Sequence, residues 1–144
     1  MSAVKKYTET HEWIEVVNSE GTVGISERAQ LIYGDIVFVE LPDVADEHEQ
    51  GEQIGLVETA DGGRFPVRAP VTGEVKAFNA VLEDQPDLIN RSPEGDGWIC
   101  RLSVVSPREL DVLMSADEYD EYEEEEPDEE YMDETDFYDD EDEY

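Results

Sequence analysis

The chain has 144 residues, with 41 Asp+Glu against 9 Lys+Arg and a formal net charge of −32. That balance excludes a nucleic-acid binder working by counterion release, which needs clustered Lys and Arg, and it disfavours docking on anionic membranes. No run reaches the roughly 18 apolar residues of a membrane span, Met1–Lys6 lacks the apolar core of a signal peptide, and Cys100 has no second cysteine to pair with. The expectation is a soluble cytoplasmic protein, or a mitochondrial one in a eukaryote, kept monomeric by self-repulsion.

The elements are short and mostly β. Glu12-Trp13-Ile14-Glu15-Val16-Val17 alternates polar and apolar, stops at Asn18-Ser19-Glu20-Gly21 and resumes as Thr22-Val23-Gly24-Ile25, a hairpin with a glycine-containing loop. Ser26 to Gly34 has an N-cap serine, an acid in the first turn and a terminating glycine, which predicts a short helix. Asp35 to Leu41 is β-branched and aromatic, and Pro42-Asp43 stops it. Gly51–Thr59 and Phe65–Pro70 flank the turn-rich Ala60-Asp61-Gly62-Gly63-Arg64, so they predict a hairpin with an exposed tip, and the prolines place it at a sheet edge. Val71–Asn79 and Gly97–Val104 alternate again, joined by a polar link with a helical turn near Pro86–Ile89. Lys5 and Lys6 fall in a frayed N-terminus.

The C-terminal side turns helical. Ser106-Pro107-Arg108-Glu109 offers a capping box with Leu110, Leu113 and Met114 as its apolar face, and Ser115-Ala116-Asp117-Glu118 repeats the box. From Asp117 onward there are 19 acidic residues and no basic ones, leaving −13 on residues 1–116. Such a segment repels itself and lacks the apolar residues to offset ordering entropy, so disorder is expected beyond Pro127. Its tyrosines, Tyr119, Tyr122, Tyr131, Tyr138 and Tyr144, are compatible with modification or with anchoring in a partner groove. The reading is a domain over 1–116, an acidic helix over 117–126 extending it, and a disordered acidic tail over 127–144.

Catalytic and metal signals are weak. His11 reads as structural and His48 as a solvated loop residue. Cys100 reads as a small buried apolar group. No His/Cys cluster has metal-ligand spacing, no calcium loop or nucleophile elbow is present, and Gly62-Gly63 is too short for a phosphate loop. A non-enzyme is expected, with no catalytic and no metal-binding residues.

The order of blocks is familiar: Tyr7-Thr8-Glu9-Thr10-His11-Glu12-Trp13, Thr22–Ser26, Gly34–Pro42, Val57-Glu58, Ala69–Val75, Ala80–Asp84 with Pro86, Gly97-Trp98 and Leu110–Tyr119. Over about residues 7–122 the chain resembles the H protein of the glycine cleavage system. The resemblance implies a mainly β fold with short α-helices, a barrel-sandwich hybrid of the lipoyl-domain type with C-terminal helices. It also implies a carrier function, in which a lipoyl group on a hairpin-tip lysine moves an aminomethyl group between a decarboxylase, an aminomethyltransferase and a dihydrolipoyl dehydrogenase.

In that family the tip usually reads Glu-Ser-Val-Lys, whereas here the matching residues are Glu58-Thr59-Ala60-Asp61, followed by a segment one residue longer than usual. Lipoylation needs a primary amine to attack an activated acyl group, and the carboxylate of Asp61 cannot form that amide. Arg64 and Arg68 do not replace it, because guanidinium groups are always charged and poorly nucleophilic. The same chemistry excludes biotin, so no cofactor is expected. The sequence reading is therefore an H-like protein without its lipoyl lysine, acting as a binding or scaffold protein for glycine cleavage enzymes or other enzymes that recognise lipoyl-type domains. Asp61 occupies the modification position, and Glu58, Thr59, Ala60, Gly62, Gly63, Arg64 and Arg68 form a recognition feature at the hairpin. Two alternatives stay open: a genuine aminomethyl carrier modified at Lys76, and an interaction protein working through its acidic tail.

Overall fold

Asn18 and Ser19 both have positive φ, 54° and 67°, the requirement of a two-residue hairpin turn whose twist matches its strands. They join β2 (Glu12–Val17) to β3 (Glu20–Ile25), with Val17 opposite Glu20. The connection is thus shorter than the glycine-containing loop expected. Gly21 lies inside β3, where a Cβ would stand 2.5 Å from Ile14 Cδ1, so this glycine serves packing rather than turning.

The computed structural model describes residues 4–122. The acidic segment expected to be disordered, 127–144, and the last residues of the expected 117–126 helix lie outside them. Ahead of β2, β1 (Val4–Tyr7) pairs antiparallel with it, Val4 opposite Val16 and Tyr7 opposite Trp13. This corrects the frayed N-terminus. Lys5 sits 4.8 Å above the Trp13 ring and 2.9 Å from Glu94, contacts between distant residues that local sequence does not disclose.

Ser26 caps α1 (Glu27–Tyr33) as expected, its Oγ accepting from the Ala29 N–H. β4 (Ile36–Glu40) and the two-residue β5 (Glu47–His48) follow, then the hairpin β6 (Gln53–Thr59) and β7 (Arg64–Arg68), and β8 (Gly73–Phe78). The polar link holds two short helices, α2 (Val81–Asp84) and α3 (Leu88–Arg91), where one helical turn was expected. β9 is Cys100–Ser103, so Trp98 precedes the strand rather than belonging to it. His48 belongs to β5, opposite Gly73, and is largely covered, not the solvated loop residue expected.

Ser106 makes no side-chain cap, and Pro107–Val112 is a 3₁₀ helix. Glu109 is diverted instead to Thr72, accepting from its N–H and its hydroxyl at 2.7 Å each. The second box does form: Ser115 and Glu118 cap α4 (Ala116–Glu121) reciprocally.

The strands make two antiparallel sheets, β1-β2-β3-β9-β8-β5 and β4-β6-β7. Ile14, Val23, Val75 and Leu102 from the first meet Ile36, Val39, Val57 and Val67 from the second in one buried cluster. This is the β-rich, two-sheet architecture with short helices that the sequence led us to expect. β7 lies at a sheet edge with Pro66 opposite Leu56, where a residue lacking an N–H is tolerated.

Candidate functional site

The hairpin tip is built from its backbone outward. Thr59, the last residue of β6, donates its N–H to Gly63 O and accepts the Gly62 N–H on its carbonyl. Gly62 takes φ 94°, a conformation that a residue with a Cβ adopts only under strain. Thr59 is buried, and its hydroxyl donates to Asp61 Oδ1. The Gly63 N–H points at the same centre, 3.0 Å from Thr59 Oγ1 and 3.3 Å from Asp61 Oδ1.

Asp61 itself is exposed. The Thr59 hydroxyl, then the Gly63 N–H, hold its carboxyl below the usual aspartate value. Ala60 and Gly62 are exposed beside it, and Arg64 opens β7 with its Nε 3.3 Å from Glu58. Phe65 stacks on Tyr33 of α1 with centroids 4.0 Å apart, and the Ala60 N–H donates to Asp35 O, so the tip rests on the body.

Arg68 is separated from that group. Opposite Gln53, it stands at the other end of the hairpin from the Glu58–Arg64 pair, with its guanidinium 3.2 Å from Gly51 O. The structure therefore gathers Glu58, Thr59, Ala60, Asp61, Gly62, Gly63 and Arg64 at the tip and places Arg68 elsewhere.

Arg68 leads instead to a residue the sequence reading left unassigned. Its backbone N–H donates to Glu12 Oε2 at 2.9 Å, while the hydroxyls of Thr8 and Thr10 donate to Oε1. Glu12 is 1% exposed, and burial pushes its carboxyl above the ordinary glutamate value against the pull of Thr10, Thr8 and the Arg68 N–H. Period-2 spacing puts Glu12 on the same face as Ile14 and Val16, a signal that could have marked it as inward-facing.

A cavity of about 380 Å³ opens over this carboxylate, lined also by Thr8, Thr10, Gln50, Arg68 and Leu113. Among the described residues no group of His, Cys, Asp and Glu is arranged to hold a metal ion.

The family model described as "Glycine cleavage H-protein" matches residues 5–126. The chain belongs to the glycine cleavage H-protein family. It is 49% identical over 121 residues to the glycine cleavage system H protein of Vibrio parahaemolyticus, covering 83% of this chain and 94% of that one. With the H protein of Thermotoga maritima the identity is 38% over 119 residues, covering 83% and 95%. The crystal structure of a glycine cleavage system H protein from Mycobacterium marinum superposes with a TM-score of 0.74 at 30% identity, covering 83% of this chain and 95% of that chain. An H protein is a carrier and not itself a catalyst, in keeping with the non-enzyme expected from the sequence.

Within this H-protein scaffold, Tyr119 corrects one reading of the acidic tyrosines. It is buried in its own body, stacked 4.5 Å from Tyr7, with Arg28 4.2 Å from its ring. Its hydroxyl meets Ser26 Oγ at 2.7 Å and His11 Nδ1 at 2.6 Å, so both His11 and α4 are structural parts of the body. Cys100 is fully buried and burial pushes its thiol up to about 12, which keeps it protonated and inert. No described helix is long and apolar enough to cross a membrane.

Proposed function

We propose that this chain is a lipoyl-less member of the H-protein family, a binding or scaffold protein that presents the family's surfaces to glycine cleavage enzymes without carrying the aminomethyl group. One observation carries the reading: the hairpin tip displays the Asp61 carboxylate, fixed by Thr59 and Gly63, where the family's chemistry needs an amine. The residues present do not fit a lipoyl group. Lys5, Lys6 and Lys76 are the only lysines of the sequence. The first two lie in β1, and Lys76 lies in β8 with its Nζ 3.6 Å from Glu74.

A lysine within a paired strand cannot offer its amine at a turn in the way a tip lysine does. The partners follow from the family: enzymes that act on, or are named with, the glycine cleavage H protein. The exposed Asp61 and Arg64 then serve as features such an enzyme can read.

Intact mass after co-expression with a lipoate ligase and excess lipoate tests the reading. The expected result is an unmodified wild-type chain and an Asp61→Lys variant that gains one lipoyl group. A lipoyl adduct on Lys76 of the wild type would overturn it in favour of a true carrier. A lipoyl-less wild type that none of the glycine cleavage enzymes binds, in a direct affinity measurement, would overturn the scaffold role.

A further inference from the structure

Val37 and Phe38 are consecutive in β4, and both are exposed, at 52% and 49%. Strict alternation would bury one of them. The pairing with β6 slips between Ile36 and Phe38, and the resulting bulge turns two successive apolar side chains outward. β4 is also an edge of its sheet.

Beside these residues, Phe78, Leu82 and Pro86 floor a groove of about 310 Å³, with α2 packed along β4. Its rim is acidic: Glu40, Asp43 and Glu83 line it, and no lysine or arginine does. An apolar groove ringed by one sign of charge selects its occupant by charge. The chain's own segment 123–144 carries 15 acidic residues and no basic one, so the rim repels it. A second copy, at net −32, is repelled as well. What complements the groove is an apolar side chain surrounded by cations.

Building on the scaffold reading above, we propose that this β4–α2 groove is the docking site of a partner enzyme that inserts an apolar side chain ringed by Lys or Arg, and that it acts independently of the hairpin tip. The tip and the groove are then two separate contacts. The groove supplies most of the affinity, because apolar anchors in pockets dominate interfaces while exposed rim charges mainly set the encounter rate.

The test uses the full chain against the purified decarboxylase, aminomethyltransferase and dihydrolipoyl dehydrogenase of the glycine cleavage system, each immobilised in turn. Phe38→Ser and the double reversal Glu40→Lys/Glu83→Lys are compared with the tip variant Arg64→Glu, with folding checked by circular dichroism. At least one enzyme should bind the wild type, lose affinity as salt rises, and bind either groove variant about tenfold more weakly, a larger loss than Arg64→Glu causes at the tip contact.

Binding that survives both groove variants and is lost with Arg64→Glu would overturn the groove and leave the scaffold reading standing. Binding to none of the three would overturn both. A concentration-dependent dimer abolished by Phe38→Ser would make a second copy the occupant, and binding that appears only after removal of 123–144 would make the tail the occupant. Either result overturns the proposal.

Discussion

Two carboxylates in this chain accept the same kinds of hydrogen bond and end with opposite acidities. Glu12 takes two threonine hydroxyls and the Arg68 N–H, and Asp61 takes one threonine hydroxyl and the Gly63 N–H. Glu12 has more donors, yet its carboxyl is raised while that of Asp61 is lowered. The difference is water: at 1% exposure the desolvation of Glu12 outweighs its bonds, and at the open tip the bonds of Asp61 outweigh its smaller desolvation. Burial makes Glu12 a joint between the β1–β2 connection and β7. Exposure makes Asp61 a charge on display.

Of the two sites, Glu12 is the more fragile. Glu12→Ala strands two hydroxyls and the Arg68 N–H beside a cavity, with an expected loss of about 3 kcal/mol in denaturant unfolding. Glu12→Gln keeps the shape but turns an amide N–H₂ or a mismatched oxygen toward one of those donors, at roughly 1–2 kcal/mol.

The cost of that second variant depends on pH. The folded pKa of Glu12 lies above the ordinary 4.5, so the native state holds its proton more tightly than the unfolded chain does. The contribution is greatest below 4.5 and is lost as pH rises through the folded value. The loss caused by Glu12→Gln should therefore shrink as pH rises above 4.5, and a loss that grows instead would reverse the assignment. Glu94 runs the other way: the Glu27 N–H, Lys5 and Tyr7 outweigh its burial and lower its carboxyl, so its contribution is lost as pH falls.

Thr10→Val is a smaller perturbation. One of three donors disappears, the expected cost is about 1 kcal/mol, and the Glu12 carboxyl should rise further because Thr10 now holds it down. Carboxyl-detected NMR titration of Glu12 in the two proteins checks the direction.

The contrast between these sites also marks what the sequence could disclose. The tip was legible, because Asp-Gly, flanking β-runs and two prolines on one arm are local signals, and so were the caps of α1 and α4. Glu12 was hidden by its charge, although its spacing from Ile14 put it on the core face. β1 was hidden by Lys5 and Lys6, whose partners Trp13 and Glu94 are distant in sequence. β5 needs only two residues opposite β8, too few for any periodicity. At Ser106 the capping pattern was present but Glu109 had a better acceptor role at Thr72, a tertiary bond that local pattern cannot weigh. Arg68 looked like part of the tip because it is near in sequence, but a strand carries a residue about 3.3 Å per step, and four steps leave the tip behind.

The mildest test lies at the tip itself. Thr59→Val keeps the buried volume at the end of β6 but removes the hydroxyl that donates to Asp61. If that bond sets the acidity, the Asp61 carboxyl moves up toward the ordinary 3.8, while the Gly63 N–H retains part of the shift. The lowered folded value means that Asp61 contributes stability above 3.8 that is lost as pH falls through it, so in the variant this acid-side dependence weakens. NMR titration of Asp61 in both proteins reads the effect directly. An unchanged titration would assign the acidity to the Gly63 N–H alone and leave the Thr59 hydroxyl with only the shaping of the turn.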